Sequence, residues 1–151
     1  MSNEYDENEL MDLCFGSQLG FGVHRKVYDF LPNKDYVIKV AKDDDGRPVN
    51  LMEMRLFNEI RHTPAEKWFA PVIEVSGRGK YLLQRKIEAL PKDQYPKEIP
   101  AFFTDTKYQN FGYLKEEGKK GRFVCCDFGS FNIFQGITTK MKKANWWDCG
   151  Y

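Results

Sequence analysis

Short apolar runs separated by turn residues dominate the first half of the chain and predict a sheet. β-branched and aromatic residues fill three stretches between Cys14 and Val40, the last of which is Tyr36–Val40. The intervening Leu31–Asp35 carries the proline, asparagine and aspartate that are typical of a turn. The pattern therefore predicts consecutive strands of an antiparallel sheet.

The pattern then changes to a helical period and afterwards returns to strands. From Asn50 to His62 the apolar residues recur with a three-residue spacing, close to one helical face, and Thr63-Pro64 ends the run. Two hairpins are predicted after it, formed by Phe69–Val75 with Tyr81–Arg85 and by Asn110–Leu114 with Arg122–Cys126. This order of elements predicts the α+β class, because strands and helices do not alternate regularly.

Three further stretches fit neither pattern. Residues 1–13 are acidic and polar, and we expect a flexible arm. Residues 88–100 contain three prolines and are predicted to be a hinge or linker. The tail from residue 137 to residue 151 is amphipathic and carries Trp146 and Trp147. For these tryptophans, core packing by a C-terminal helix is favoured over contact with a partner protein.

Composition limits the classes of protein that these elements can form. The chain has 151 residues, of which 42% are apolar, and this suits one folded domain. A net charge of +1 lacks the basic excess of a nucleic-acid binder. No stretch is long and apolar enough for a bilayer, and the polar first residues do not form a secretory signal. The four cysteines lack metal-site spacing, so we expect free thiols in a reducing compartment, which favours the cytoplasm.

Gly20-Phe21-Gly22 makes the first predicted turn a candidate phosphate-binding loop. Glycines let the main chain approach phosphates closely and offer N–H donors to them. The same residues also fit an ordinary hairpin turn, and this alternative stays open. Arg25 stands where a third glycine would complete the loop, so its side chain would either lie over bound phosphates or obstruct them.

Lys39 is flanked by apolar residues on the third predicted strand. A buried lysine at this position would need an anion or a carboxylate, whereas a lysine on the solvent face would need neither. Both alternatives fit the strand equally well. Glu53 and Glu59 on the predicted helix are the two candidate carboxylates.

Two later motifs carry oxygen-bearing side chains that a metal site needs. Asp105, Lys107 and Asn110 form a D-x-K-x-x-N pattern, and Asp127 opens the tripeptide Asp127-Phe128-Gly129 at the end of a predicted strand. A polar surface loop would produce either motif alone. Their order, with one hairpin between them, makes a shared functional site the stronger interpretation.

Together these motifs resemble the protein kinase-like superfamily over roughly residues 15–132. The resemblance implies ATP and Mg²⁺ as cofactors. It implies that Lys39 contacts the α- and β-phosphates and that Glu53 aligns it.

The resemblance also assigns the later motifs. Asp105 would accept the proton of the attacking hydroxyl, and Lys107 would neutralise the transferred phosphoryl group. Asn110 and Asp127 would hold Mg²⁺. These residues would form the catalytic and metal-binding part of the site.

The same resemblance implies where the nucleotide base would bind. Gly20, Gly22 and Val27 would contact the nucleotide, and Gln84 would lie behind the adenine pocket. Arg85 to Ile87 would form the hinge whose main chain pairs with adenine.

The resemblance also implies a division of the chain into regions. Residues 14–87 would be an N-lobe, 88–100 the hinge or linker, and 101–151 a reduced C-lobe holding both motifs. The implied fold is a kinase-like core with an N-terminal antiparallel sheet, one helix and a much reduced C-terminal lobe. The segment around Leu31–Val40 is also similar to kinase-like proteins of lytic bacteriophages, for which the host cytoplasm would be the location.

The sequence departs from the family pattern around the catalytic aspartate. Phe103-Thr104 stand where the family has His-Arg, and no Ala-Pro-Glu element follows Gly129. The expected function is ATP-dependent phosphoryl transfer to a protein hydroxyl, including the chain's own hydroxyls. The alternative is an ATP-binding module that binds and regulates a partner protein. A homodimer that completes the missing lobe is a further expectation, with Trp146, Trp147 and Tyr151 as candidate contacts.

Overall fold

A computed structural model describes residues 10–128 and 140–148 of the chain. The first nine residues of the predicted arm, Gly129 and both ends of the predicted tail lie outside these ranges. The chain divides into two compact units. The first unit comprises Met1–Arg55 and Val72–Lys86, and the second comprises Leu56–Pro71 and Ile87–Tyr151. The predicted α+β class is confirmed.

The first unit is built on a 5-stranded antiparallel sheet with the order β1-β2-β3-β5-β4. Its strands are β1 (Phe15–Phe21), β2 (Arg25–Phe30), β3 (Tyr36–Ala41), β4 (Val72–Val75) and β5 (Tyr81–Arg85). The central strand β3 and its neighbour β5 carry buried apolar side chains such as Ile38 and Leu82, which are at most 2% exposed. The predicted N-terminal antiparallel sheet is therefore present.

The helix α1 (Gly46–Ile60) begins four residues before the predicted start at Asn50, so both predicted bounds are wrong. The Asp43 carboxylate accepts a hydrogen bond from the Gly46 N–H at 3.1 Å, which satisfies a donor of the first turn. Glycine is required at residue 46, because an added Cβ would lie 2.3 Å from the His24 carbonyl oxygen. His62, with a φ of 66°, has the left-handed conformation that ends helices.

Two antiparallel strand pairs form the second unit. They are β6 (Glu98–Pro100) with β9 (Met141–Lys143), and β7 (Phe111–Glu116) with β8 (Lys119–Cys125). Part of the predicted linker 88–100 thus pairs with the tail, and residues 140–148 contain a strand where a C-terminal helix was expected. Single turns of 3-10 helix occur at Glu66–Trp68, Lys92–Gln94 and Tyr108–Asn110. Among the described residues, no helix has the length and apolar character to cross a membrane.

Aromatic side chains form the core of the second unit. Phe69 is fully buried, and its ring centroid lies 5.9 Å from Phe102, 5.3 Å from Phe103 and 4.9 Å from Phe128. A neighbouring cluster joins Trp146 to four rings, those of Tyr95, Tyr108, Phe111 and Phe123. Trp146, which is half-buried, therefore packs into an aromatic cluster of the second unit.

Phe69→Ala tests how much this aromatic core contributes. Removing a fully buried phenylalanine side chain takes away its burial and leaves a cavity, so we expect a loss of about 3–5 kcal/mol in unfolding free energy. Urea denaturation followed by fluorescence measures the change. Met141→Ala, at a side chain that is 41% exposed, is the control and should change stability little. Equal effects of the two variants would contradict the assigned core.

Candidate functional site

Lys39 lies on β3 and is only 5% exposed, so the solvent-face alternative for this lysine is wrong. Its Nζ atom lies 3.2 Å from Oε2 of Glu53 on α1. Glu53 is also buried, at 3% exposure, whereas its rival Glu59 is exposed on the same helix. The structure thus pairs the strand lysine with the helix glutamate that the sequence favoured.

The carboxylate of Glu53 contacts a second cation. Nη2 of Arg25 donates to Oε1 of Glu53 at 2.7 Å, while Lys39 contacts the other oxygen. We call Arg25, Glu53 and Lys39 the ion triad. Burial alone would raise the pKa of Glu53, but attraction to Lys39 and Arg25 with their hydrogen bonds outweighs it and lowers the pKa below 4.5. Glu53 is therefore a carboxylate at neutral pH.

Asn50 connects the ion triad to the sheet. Its Oδ1 accepts from Nη1 of Arg25 at 3.1 Å, and its Nδ2 donates to the carbonyls of Gly79 at 2.8 Å and Lys39 at 3.3 Å. Because Asn50 is completely buried, these bonds fix α1 against β2, β3 and the β4–β5 turn. No motif in the sequence indicates this role for Asn50, which lies one helical turn before Glu53.

Arg25 bonds two residues of α1. Its guanidinium donates to Asn50 and Glu53, and its place over or against bound phosphates stays a prediction. Arginine suits this position because its planar fork can serve two acceptors at once. The residue at the third glycine position therefore supports the Lys39–Glu53 pair.

The two glycines of the first turn lie where β1 meets β2. The Gly22 N–H donates to the Arg25 carbonyl at 2.7 Å and closes the hairpin. A Cβ added at Gly20 or Gly22 would meet nothing within 4 Å, so packing does not require glycine at either position. The neighbouring Phe21 and Val23 are 77% and 81% exposed. Both the phosphate-loop interpretation and the simple hairpin fit this geometry.

The residues assigned to the nucleotide base lie at several places in the fold. Val27 is paired with Lys39 across β2 and β3, and Gln84 is fully buried on β5. Arg85 holds its guanidinium 5.7 Å from the ring centre of Tyr36. Ile87 begins the stretch that belongs to the second unit, where it packs against the cluster of Ala70, Leu114 and Val124. The assignment of these residues to adenine stays a prediction.

The Asp105–Asn110 motif forms a tight loop in the second unit. Oδ1 of Asp105 accepts the Lys107 N–H at 3.3 Å, and the Asn110 N–H donates to the Lys107 carbonyl at 3.0 Å. The Nζ atom of Lys107 lies 5.6 Å from the ring centre of Trp147, within cation–π range. These hydrogen bonds hold the main chain from which the Asp105 and Lys107 side chains extend.

Asn110 and Asp127 lie at the open end of the β7–β8 hairpin. Asn110 immediately precedes β7, and its carbonyl accepts the N–H of Cys126, the residue before Asp127, at 2.8 Å. Phe128, which is 2% exposed, contacts Phe57 and Phe69. The hairpin thus brings the two motifs together, and the burial of Phe128 fixes the chain just after Asp127.

A carboxamide oxygen and a carboxylate are suitable ligands for Mg²⁺, which commonly takes one or two protein oxygens together with phosphates and water. Residues 10–128 and 140–148 contain no group of three or more histidine, cysteine or acidic side chains that could hold a metal. The assignment of Asn110 and Asp127 to a metal stays a prediction.

Comparisons with known proteins gave only weak likenesses. No family model matches the chain, and no curated protein matches it. Among solved structures, it is similar to ADP-bound aminoglycoside phosphotransferase APH(2'')-Ib and to APH(2'')-IIa in a complex with streptomycin and ATP. Each likeness has 18% identity, a TM-score of 0.44 and covers 60% of this chain. The chain spans less than a third of those proteins, with 30% and 31% of their chains covered.

Glu53→Gln tests the ion triad directly. The substitution leaves Arg25 and Lys39 buried beside a neutral amide, so we expect a loss of about 3–5 kcal/mol in unfolding free energy at pH 7. Because the pKa of Glu53 is lowered on folding, its charge stabilises the parent above pH 4.5, and this contribution is lost as pH falls through the lowered pKa.

Urea denaturation across the pH range measures this effect. The difference between parent and Glu53→Gln should shrink below pH 4.5. Glu59→Gln is the matched control on the exposed face of α1 and should cost little at any pH. A pH-independent difference for Glu53→Gln would contradict the ionised, cation-bound carboxylate.

Proposed function

We propose that the chain binds Mg-ATP and transfers the γ-phosphoryl group to a hydroxyl. The observation that carries the proposal is the buried lysine, Lys39, aligned by a buried glutamate that a second cation also contacts. Burying such a network is costly, and a site that must fix the direction of a cation is one physical reason to retain it. Phosphate oxygens are the natural ligands of an ammonium group held in this way.

In the proposed reaction, Lys39 would bind the α- and β-phosphates, and Asn110 with Asp127 would hold Mg²⁺, which would neutralise phosphate charge. The acceptor oxygen forms a bond to the γ-phosphorus while the bond from that phosphorus to the β–γ bridging oxygen breaks. Asp105 takes the hydroxyl proton, and Lys107 neutralises charge on the transferred group. ADP and the phosphorylated hydroxyl are the products.

The glycine turn supports the nucleotide part of the proposal. Gly20 lies near the end of β1 and Gly22 in the turn that follows, and a Cβ added at either would meet nothing within 4 Å, which leaves room for a phosphate near the main chain. Val27, next to Lys39 across the strands, would contact the nucleotide from β2. Gln84, Arg85 and Ile87 would surround the adenine.

The acceptor we propose is a serine or threonine hydroxyl of a protein, the chain itself included. This assignment rests on the resemblance of the D-x-K-x-x-N and Asp-Phe-Gly motifs to protein kinases. The alternative function, an ATP-binding module that regulates a partner protein, keeps the same nucleotide residues and lacks turnover. Transfer assays separate the two.

Mg-ATP should raise the melting temperature of the parent protein. A ligand that binds only the folded state at 100 times its Kd stabilises by about 2.7 kcal/mol, or roughly 5–10 °C for a chain of this size. Asp127→Ala should lose the part of this shift that depends on Mg²⁺, because a metal ligand is removed. Asp93→Ala, at an exposed aspartate, is the control. Absence of any shift at millimolar Mg-ATP would refute nucleotide binding.

Labelled ATP distinguishes catalysis from binding. Incubated alone and with a cell lysate, the parent should incorporate phosphate into itself or into a protein acceptor, and Asp105→Asn should reduce incorporation by about 100-fold or more. Asp93→Asn should label like the parent. Should the parent bind Mg-ATP yet transfer no phosphate to any protein, the regulatory-module alternative is supported instead.

A further inference from the structure

The Asp105–Asn110 loop is held by a chain segment that lies far from it in sequence. The Trp147 N–H donates to the Thr106 carbonyl at 3.2 Å, and the Tyr108 N–H donates to the Trp147 carbonyl at 2.9 Å. These two main-chain bonds lie on either side of Lys107 and form a parallel bridge between Lys107 and Trp147. The hydroxyl of Thr106, a buried residue, also donates to the Asn145 carbonyl.

Side chains extend this contact at both ends. The Lys107 ammonium lies 5.6 Å from the Trp147 ring centre, although the Trp147 side chain is 45% exposed. Nε2 of Gln109 donates to Oδ1 of Asp148 at 2.7 Å, and Lys92 forms an ion pair with the other carboxylate oxygen at 2.6 Å. Because Trp147 is exposed and its indole contacts Lys107, we infer that this contact matters more for its role than burial does.

The segment that holds the loop also has anchors outside the loop. Its strand β9 pairs with β6, and the Ala144 N–H donates to the Lys97 carbonyl at 2.9 Å. Nε1 of Trp146 donates to the Pro96 carbonyl at 2.8 Å, while its ring lies in the aromatic core of the second unit. Trp146 thus anchors the segment and also contacts the loop through the ring of Tyr108, whereas Trp147 contacts Lys107.

We propose that residues 140–148 position the Asp105–Asn110 loop, and that Trp147 is a positioning residue that orients the Lys107 ammonium. The indole face attracts the cation and restricts the lysine side chain near the loop backbone. Such a restraint lowers the entropy that Lys107 loses when it meets a charged ligand. The segment also supplies main-chain hydrogen bonds to a loop that lacks the His-Arg pair of the family before Asp105.

The effect on catalysis rests on the proposed phosphoryl transfer, whereas the positioning of Lys107 does not. Two readouts therefore test the inference. The first is the NMR chemical shift of the Lys107 ε-methylene protons, assigned with Lys107→Arg, because a ring above them shifts the signal upfield. The second is the turnover number of phosphate transfer, measured together with the Kd for Mg-ATP.

The variants are Trp147→Ala, which removes the ring, and Trp147→Phe, which retains one. Met141→Ala is the control, since it alters an exposed side chain of the same segment. We expect an upfield Lys107 signal in the parent, the Phe variant and the control, and its loss in the Ala variant. Turnover should fall about 10-fold in the Ala variant and recover largely in the Phe variant, with the Kd for Mg-ATP unchanged.

A Lys107 signal that is not shifted upfield in the parent would overturn the positioning role. Unchanged turnover in Trp147→Ala, despite loss of the shift, would overturn its consequence for catalysis. If the parent transfers no phosphate at all, the proposed function fails by itself, and the chemical shifts still decide whether Trp147 orients Lys107.

Discussion

The buried carboxylate of Glu53 is the constraint on which the first unit depends. Lys39 on the central strand β3 can be buried because Glu53 lies 3.2 Å away, and Arg25 bonds the other carboxylate oxygen. Asn50 ties this charge network to main-chain carbonyls, so α1 has a defined position on the sheet. An apolar replacement of such a network is often as stable. We therefore infer that the network serves to fix the position of α1 rather than to add stability.

The second unit holds a polar loop in which a single turn of 3-10 helix is the regular secondary structure. Its aromatic core supplies stability, and polar residues project from the edges of that core. Asn110 and Asp127 meet at the end of one hairpin because the Asn110 carbonyl bonds to the N–H of Cys126. The loop from Asp105 also gains hydrogen bonds from residues 140–148 and from the Tyr95 hydroxyl, which donates to the Tyr108 carbonyl. Rigid apolar packing and main-chain pairing thus place the groups that the proposed chemistry needs.

Local signals predicted much of this fold, and long-range contacts account for the rest. Strand periodicity predicted both hairpins, and the resemblance of the motifs to kinase-like proteins indicated the Lys39–Glu53 pair. The true start of α1 was missed because Asp43, which bonds to its first turn, lies in a run of aspartates that resembles a charged turn. The contacts of Arg25 and the pairing of β6 with β9 join residues distant in sequence, and no periodic pattern reports such pairing.

Calorimetric Mg-ATP affinities test the proposed phosphate-binding role of the Lys39–Glu53 pair most directly. They are compared for the parent, Lys39→Met, Glu53→Gln and the double variant. If Glu53 acts on the nucleotide only by aligning Lys39, either single substitution weakens binding on the order of tenfold or more, and the double variant binds no more weakly than Lys39→Met. Affinities equal to that of the parent, or losses that add in the double variant, would contradict the claim that this buried pair forms the phosphate-binding centre.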